Sequence, residues 1–130
     1  MKQLRIVIAD DSVIMRSQIR EALSEVHGLM IVGEATDGAQ AFLLYNQMQP
    51  DVLLLDLSMA KASGLEVLQI IRKSDESTVI IIFTADPSPA LREACLKAGV
   101  NFYLNKSEID SLVSICAAIA SGVDSSWLSP

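Results

Sequence analysis

The sequence contains few of the residues that build thiolate, zinc or disulfide sites. Its 130 residues include two cysteines and one histidine, and these lack the spacing of a zinc site. Cys95 and Cys116 fall instead on the apolar stripes of two predicted helices. This placement predicts buried, reduced thiols without a redox or metal role.

Basic residues are also scarce, because 10 Lys and Arg face 16 Asp and Glu, for a formal net charge of −6. Binding to a nucleic-acid phosphate backbone depends on clustered Lys and Arg, so we expect no direct contact of this domain with nucleic acid. No glycine-rich phosphate loop is present, which disfavours nucleotide binding.

Long hydrophobic runs are missing as well. No apolar run approaches the roughly 20 residues that span a bilayer. Residues 1–5 lead directly into a strand-like segment rather than into the apolar core of a signal peptide. We therefore predict a cytoplasmic protein without a membrane contact.

The sequence does have 51% apolar residues, arranged as short apolar runs that alternate five times with stretches of helical period. This alternation is typical of an α/β fold with a parallel sheet covered by helices on both faces. Strands are predicted over residues 4–9, 30–35, 52–56, 79–84 and 101–104. Asp37 and Gln40 predict a capping box at the start of the second helix.

Polar residues interrupt this apolar pattern where the predicted strands end. The five residues concerned are Asp10, Asp11, Asp56, Thr84 and Lys106. Because the carboxyl ends of parallel strands meet at one edge of a sheet, we expect these side chains to lie together in a ligand-binding crevice.

The chemistry of these residues indicates a cation and a phosphoryl group. Three crowded carboxylates repel one another unless a cation lies among them, and ligands of oxygen alone suit Mg²⁺, with Mn²⁺ as an alternative. The Lys106 ammonium and the Thr84 hydroxyl both donate to anionic oxygens, so they complete a pocket for a phosphoryl group.

With these residues in this order, the sequence resembles the receiver domain of two-component response regulators. The resemblance covers residues 6 to about 123 and includes Tyr103, three positions before Lys106, so we expect a receiver domain over residues 3–123. It implies a flavodoxin-like, doubly wound five-stranded sheet of order 2-1-3-4-5. It also implies that Asp56 accepts a phosphoryl group from a sensor histidine kinase or a phosphotransfer protein, and that the domain catalyses only its own phosphorylation and dephosphorylation.

The same resemblance implies a metal-ligand set. Asp11, Asp56 and the backbone carbonyl of Ser58 would bind Mg²⁺ directly, and Asp10 would hold it through water. After transfer Lys106 would pair with a phosphoryl oxygen.

The resemblance also implies a switch. Thr84 would be drawn toward the phosphoryl group, which frees space for the Tyr103 ring to turn inward. This movement would couple the site to the surface of the fourth helix, fifth strand and fifth helix.

Two positions depart from the pattern of many receivers. Ala60 and Ser107 stand where prolines are frequent, so we expect a looser loop after Asp56 and a trans Lys106–Ser107 bond. Receivers attached to output domains of the LuxR or NarL type commonly lack the second proline too. Residues 124–130 resemble the start of a linker or tail, so we expect a helix-turn-helix output domain in the full-length protein, with phosphorylation-dependent homodimerisation through the last two helices.

Two other functions compete with this interpretation. A phosphatase of the haloacid dehalogenase type also uses an Asp nucleophile and Mg²⁺, but it needs an acid two positions later, where this chain has Ser58. A receiver fold kept only for pairing would be favoured by loss of an acidic or lysine position, and none is lost.

Overall fold

Five strands alternate with five helices along the chain. In this computed structural model, the structure describes residues 3–122. The strands are β1 (Leu4–Ala9), β2 (Leu29–Ala35), β3 (Val52–Leu55), β4 (Val79–Thr84) and β5 (Phe102–Asn105). The helices are α1 (Val13–Leu23), α2 (Gly38–Met48), α3 (Gly64–Arg72), α4 (Pro89–Ala98) and α5 (Ile109–Ala120).

The strands form one parallel sheet in the order β2-β1-β3-β4-β5, which confirms the predicted topology. The bounds differ from the predicted ones by a single residue in three strands. β2 begins at Leu29, β3 ends at Leu55 so that Asp56 follows it, and β5 is shifted to Phe102–Asn105.

Two apolar cores cover the two faces of the sheet, because successive strand residues point to opposite sides. One core includes Val7, Leu53 and Cys95, and the other includes Ile6, Leu54 and Cys116. Both cysteines are fully buried, as predicted. Burial raises the pKa of Cys116 to about 12, which keeps this thiol protonated and unreactive.

Side-chain caps fix where four of the helices begin. Ser12, Asp37, Ser63 and Ser88 each accept a hydrogen bond from the backbone N–H three residues later. Of the two hydrogen bonds in the capping box predicted for α2, only the one from the Gln40 N–H to Asp37 Oδ1 forms. The Gln40 Oε1 atom accepts from the N–H of Thr36, at 2.7 Å, rather than from Asp37. The reciprocal capping box occurs at Ser63 and Glu66 of α3.

No helix within residues 3–122 is long and apolar enough to cross a membrane. No peptide bond within the same residues is cis, so the Lys106–Ser107 bond is trans as predicted.

A polar cluster at the amino ends of the strands joins α2 to the turn before β4. Asp75 accepts hydrogen bonds from the hydroxyls of Tyr45, Ser77 and Thr78 and from the N–H groups of Ser77 and Thr78. Desolvation raises the pKa of Asp75, but the hydrogen bonds from Thr78, Tyr45 and Ser77 together outweigh it. The pKa of this carboxyl therefore lies well below its usual range.

Replacing Asp75 by Asn should lower the free energy of unfolding at neutral pH by about 1–3 kcal/mol, since an amide cannot accept from all of these donors. The folded-state pKa of Asp75 is depressed, so its contribution is present above the unfolded value of about 3.9 and is lost as the pH falls further. The difference between parent and variant should therefore narrow in acid.

Urea unfolding over a series of pH values measures this difference. Asp110→Asn is the control, because Asp110 is exposed and lies in the first turn of α5, where loss of its charge should cost about 1 kcal/mol or less. A difference for Asp75→Asn that stays constant from neutral pH into acid would contradict the assignment.

Candidate functional site

The register of the sheet brings the predicted site residues together. Ala9 of β1 pairs with Leu55 of β3, so Asp10 and Asp56 follow neighbouring strands at the same level. Thr84 pairs with Asn105, so Lys106 follows β5 beside the end of β4. The carboxyl edge of the sheet therefore collects the residues that the sequence placed there.

Three carboxylates form what we call the acidic cluster, Asp10, Asp11 and Asp56. An oxygen atom of each lies within 4.8 Å of an oxygen of the others, and it is the one such group of metal-ligating side chains found in residues 3–122. Asp10 is 1% exposed and Asp56 is 4% exposed, whereas Asp11 is exposed. Two of the three carboxylates are therefore buried, and the third faces solvent beside them.

Lys106 pairs with both buried carboxylates. Its Nζ atom lies 2.8 Å from Asp10 Oδ2 and 3.0 Å from Asp56 Oδ2. Burial lowers the pKa of Lys106, but the hydrogen bonds to Asp10 and Asp56 outweigh it, so the pKa of this ammonium lies above its ordinary value. Lys106 therefore stays charged at physiological pH.

The Asp56 carboxyl has a raised pKa. Burial is the main cause and the neighbouring Asp10 charge adds to it, while the hydrogen bond from Lys106 acts in the opposite direction. The Ser58 N–H lies 3.4 Å from Asp56 Oδ1, a long contact. Asp56 is therefore a carboxylate whose negative charge is incompletely compensated, which favours a cation or an electrophile nearby.

The donor set of this site fits Mg²⁺. Asp10, Asp11 and Asp56 supply oxygen ligands alone, and a hard divalent cation such as Mg²⁺ is bound in proteins by one or two carboxylates together with waters. One lysine leaves the three carboxylates with an excess of negative charge when all are ionised.

Thr84 links this site to Tyr103. Thr84 is 1% exposed, and it lines both the cleft beside Asp56 and an adjacent cavity lined by Ser88, Arg92 and Tyr103. The Thr84 Oγ1 atom accepts a hydrogen bond from the Asp86 N–H, at 3.1 Å. A movement of the Thr84 side chain would therefore change the space available to Tyr103.

Tyr103 lies with its hydroxyl buried and its ring against α4. The hydroxyl is without a hydrogen-bond partner in the described part of the chain, and the Cζ atom of Arg92 lies 5.6 Å from the ring centroid. Burial raises the pKa of Tyr103, and the nearby Cys95 and Asp86 add to this effect. A buried hydroxyl without a partner costs about 1–3 kcal/mol, so the position of this ring is less favourable than one in which the hydroxyl is hydrogen-bonded.

Two glycines allow the backbone to approach the loop after Asp56 closely. A Cβ atom at Gly64 would lie 2.2 Å from the Asp56 carbonyl oxygen, and one at Gly38 would lie 1.9 Å from that of Ala62. The Gly38 N–H donates to the Ala60 carbonyl, at 3.1 Å. The start of α2 thus restrains the segment that follows Ser58, although Ala60 supplies no fixed φ.

Sequence reasoning missed two residues that shape the site. Gly38 carried no signal because a glycine at a helix start is also compatible with an ordinary cap. Arg16 is one of two arginines of an amphipathic helix, where an exposed charge is the ordinary expectation, yet its Nη1 atom donates to the Asp10 carbonyl at 2.6 Å. Contacts to backbone carbonyls leave no side-chain pattern in a sequence.

Comparison with known families gives one match over most of the chain. The profile described as the response regulator receiver domain matches residues 6–117. The nitrate/nitrite response regulator protein NarP of Escherichia coli is 37% identical over 119 residues, which cover 91% of this chain and 55% of NarP. The chain thus spans about half the length of this relative.

Solved structures show the same fold. The signal receiver domain of the response regulator NarL from Mycobacterium tuberculosis superposes with a TM-score of 0.85 at 31% identity, covering 94% of this chain and 99% of that one. A DNA-binding response regulator of the LuxR family from Staphylococcus aureus gives a TM-score of 0.84 at 27% identity, over 90% of this chain and 98% of that one.

Replacing Gly38 by Ala should destabilise the protein by about 1–3 kcal/mol, because the new methyl group overlaps the backbone of Ala62. Helix propensity alone predicts the opposite sign, since Ala favours a helix over Gly by about 1 kcal/mol. Urea unfolding measures the stability, and backbone amide resonances of residues 58–63 report movement of the loop.

Gly33→Ala is the matched control, because its Cβ would meet only the methyl groups of side chains, those of Leu44 at 3.3 and 3.4 Å and one of Val7 at 3.7 Å. We expect its stability to stay within about 1 kcal/mol of the parent. A Gly38→Ala protein that is more stable than the parent, with unshifted loop resonances, would show that the loop does not depend on this contact.

Proposed function

Because the chain belongs to the response regulator receiver domain family, we propose that it is a phosphorylation-controlled switch with Asp56 as the phosphoacceptor. The observation that carries this proposal is the shared contact of Lys106 with two buried carboxylates, Asp10 and Asp56. A lysine beside two carboxylates at the carboxyl edge of a parallel sheet is suited to the transfer of an anionic phosphoryl group.

In the proposed reaction an Asp56 carboxylate oxygen attacks the phosphorus of a phosphohistidine on a sensor kinase or phosphotransfer protein. The bond from phosphorus to the histidine nitrogen breaks as the bond to the Asp56 oxygen forms. The histidine nitrogen leaves with the electron pair of the broken bond. Lys106, which now contacts Asp56, would then pair with a phosphoryl oxygen and offset part of its charge.

Asp11, Asp56 and the Ser58 backbone carbonyl would hold Mg²⁺ directly, and Asp10 through water. When bound, Mg²⁺ supplies charge compensation and alignment for the transferring group. Asp10 is held at Oδ1 by the Ser12 N–H, at 2.8 Å, and at Oδ2 by Lys106. This fixed orientation suits a residue that acts through an intervening water.

The output of the switch would pass through Thr84 and Tyr103. Thr84 would turn from the Asp86 N–H toward a phosphoryl oxygen, and the cavity shared with Tyr103 would change shape. A second ring position in which the Tyr103 hydroxyl gains a partner would supply the two states that a switch requires. The signal would then reach the surface formed by α4, β5 and α5.

A protein phosphodonor also needs a surface beside Asp56. Val13 and Ile14 open α1 immediately after the acidic cluster, and their exposed fractions of 69% and 72% are the largest among the exposed large apolar residues described. We propose that this pair receives the kinase or phosphotransfer partner, since apolar side chains at a rim exclude water from the reacting groups.

In the full-length protein we propose a helix-turn-helix output domain after this domain, which fits the likeness to LuxR-family structures. The receiver would comprise residues 3–123, and residues 124–130, which lie outside the described part, would begin a linker or tail. The acidic balance of this domain supports DNA contact by the output domain alone. A cytoplasmic location also remains a prediction.

A phosphatase is a weaker alternative. Ser58 is exposed and stands two residues after Asp56, and a hydroxyl cannot replace the general acid that a haloacid dehalogenase needs there. A pairing-only module is disfavoured because the acidic cluster and Lys106 are all retained in contact range.

Incubation with acetyl phosphate and Mg²⁺ should add the mass of one phosphoryl group to the parent, as measured by intact-protein mass spectrometry. Asp56→Asn should gain nothing, whereas Asp110→Asn, a matched change at an exposed position, should label like the parent. Labelling should also require the metal.

Equal labelling of Asp56→Asn would rule out Asp56 as the acceptor. If the parent gains no mass, beryllofluoride binding separates a short-lived phosphoryl group from a pairing-only module. Steady turnover of p-nitrophenyl phosphate by the parent would instead favour the phosphatase.

Phosphorylation should also drive pairing through α4 and α5. Small-angle X-ray scattering should give the mass of a monomer without beryllofluoride and of a dimer with it, because the mimic favours the switched state. A monomer mass under both conditions would contradict homodimerisation.

A further inference from the structure

The segment that carries Asp10 and Asp11 is held by contacts from several elements. The Asp10 N–H donates to the Ala35 carbonyl of β2, at 3.1 Å. The Asp10 carbonyl accepts from Arg16 Nη1, at 2.6 Å. Each backbone polar atom of Asp10 thus has a partner on another part of the chain.

Asp11 has no comparable support of its own. Its carboxylate is exposed, and within residues 3–122 no hydrogen bond or ion pair holds it. Its position therefore depends on its backbone. Because the peptide unit is planar, the direction of the Asp10 carbonyl also sets the plane from which the Asp11 side chain departs.

The Arg16 side chain is itself held in place while it donates to the Asp10 carbonyl. Its side chain is 12% exposed, and its Nε atom lies 3.4 Å from Glu34 Oε1. A buried guanidinium is retained only when its donors have partners. The planar fork of an arginine can reach a carbonyl and a carboxylate at once in a fixed geometry.

We propose that Arg16 is a positioning residue for the metal site, acting through the Asp10 carbonyl on the direction of Asp11. This assignment rests on the proposed Mg²⁺-dependent function, and it adds a residue that touches neither the metal nor the phosphoryl group. Partners of metal ligands set the orientation of those ligands and thereby the affinity for the ion.

The direction in which Mg²⁺ affinity changes when Arg16 is removed distinguishes a positioning role from a purely electrostatic one. Arg16 carries a positive charge close to a cation site, so its removal by charge alone should strengthen Mg²⁺ binding. Loss of the hydrogen bond to Asp10 should weaken Mg²⁺ binding, because Asp11 is then free to take other orientations.

Arg20 provides a matched control. Its Nη1 atom lies 2.7 Å from the same Glu34 Oε1 atom, but it makes no contact with Asp10. In Arg16→Met, Glu34 keeps Arg20 as a partner, so no carboxylate is left without a counter-charge and the variant should fold. In Arg20→Met the hydrogen bond from Arg16 to Asp10 remains.

Calorimetric titration of the protein with Mg²⁺ tests the proposal without any phosphoryl transfer. Arg16→Met should raise the Mg²⁺ dissociation constant by about 10-fold, the lower range for loss of a partner that orients a ligand. Arg20→Met should stay within about 2-fold of the parent, since exposed ion pairs contribute little. Backbone amide resonances of Asp11 and Ser12 should shift in Arg16→Met alone.

Three outcomes would overturn the proposal. Unchanged or tighter Mg²⁺ binding by a folded Arg16→Met would show that charge alone matters. If Arg16→Met and Arg20→Met weaken Mg²⁺ binding equally, the effect comes from the ion pairs that both arginines make with Glu34. A parent that binds no Mg²⁺ would remove the metal site and the proposed function together, which distinguishes that failure from a failure of Arg16 alone.

Discussion

The crowding of negative charge at the carboxyl edge of the sheet is the constraint on which the site depends. Asp10 and Asp56 are nearly excluded from solvent, and buried carboxylates are costly without a compensating charge. Lys106 provides that compensation for both at once. One lysine leaves part of the negative charge unbalanced, and this residual charge makes the site receptive to a cation and then to an anionic group.

The scaffold holds this arrangement from both sides. The register of β1 with β3 sets Asp10 beside Asp56, while Arg16 and Gly38 hold the flanking backbone segments from α1 and α2. Rigid strands with apolar faces thus carry the charges, and loops restrained by close backbone contacts present them to solvent. Binding residues on loops over a rigid sheet are common in α/β folds.

Tyr103 differs from the charged site residues because one of its polar atoms is left without a partner. Tyr103 and Thr84 line the same cavity, and the buried Tyr103 hydroxyl makes no hydrogen bond in the described part of the chain. Arg92 contacts the ring face and stabilises one position. A charged site joined by one buried threonine to an aromatic ring with an unpartnered hydroxyl is suited to convert a local electrostatic change into a movement at the surface.

The sequence by itself determined the five strands to within a residue at each end, the parallel class of the sheet, and the set of Asp10, Asp11, Asp56, Thr84 and Lys106. Apolar runs and polar strand ends are local signals, so a single chain records them. The Gln40 side chain accepts from Thr36 rather than from Asp37, and the residue pattern alone fits both contacts. Only the tertiary structure decided that Arg16 and Gly38 restrain the site and that Lys106 contacts two carboxylates. The packing of the helices on the sheet sets which of these atoms come within hydrogen-bond distance, and no local pattern of residues records those distances.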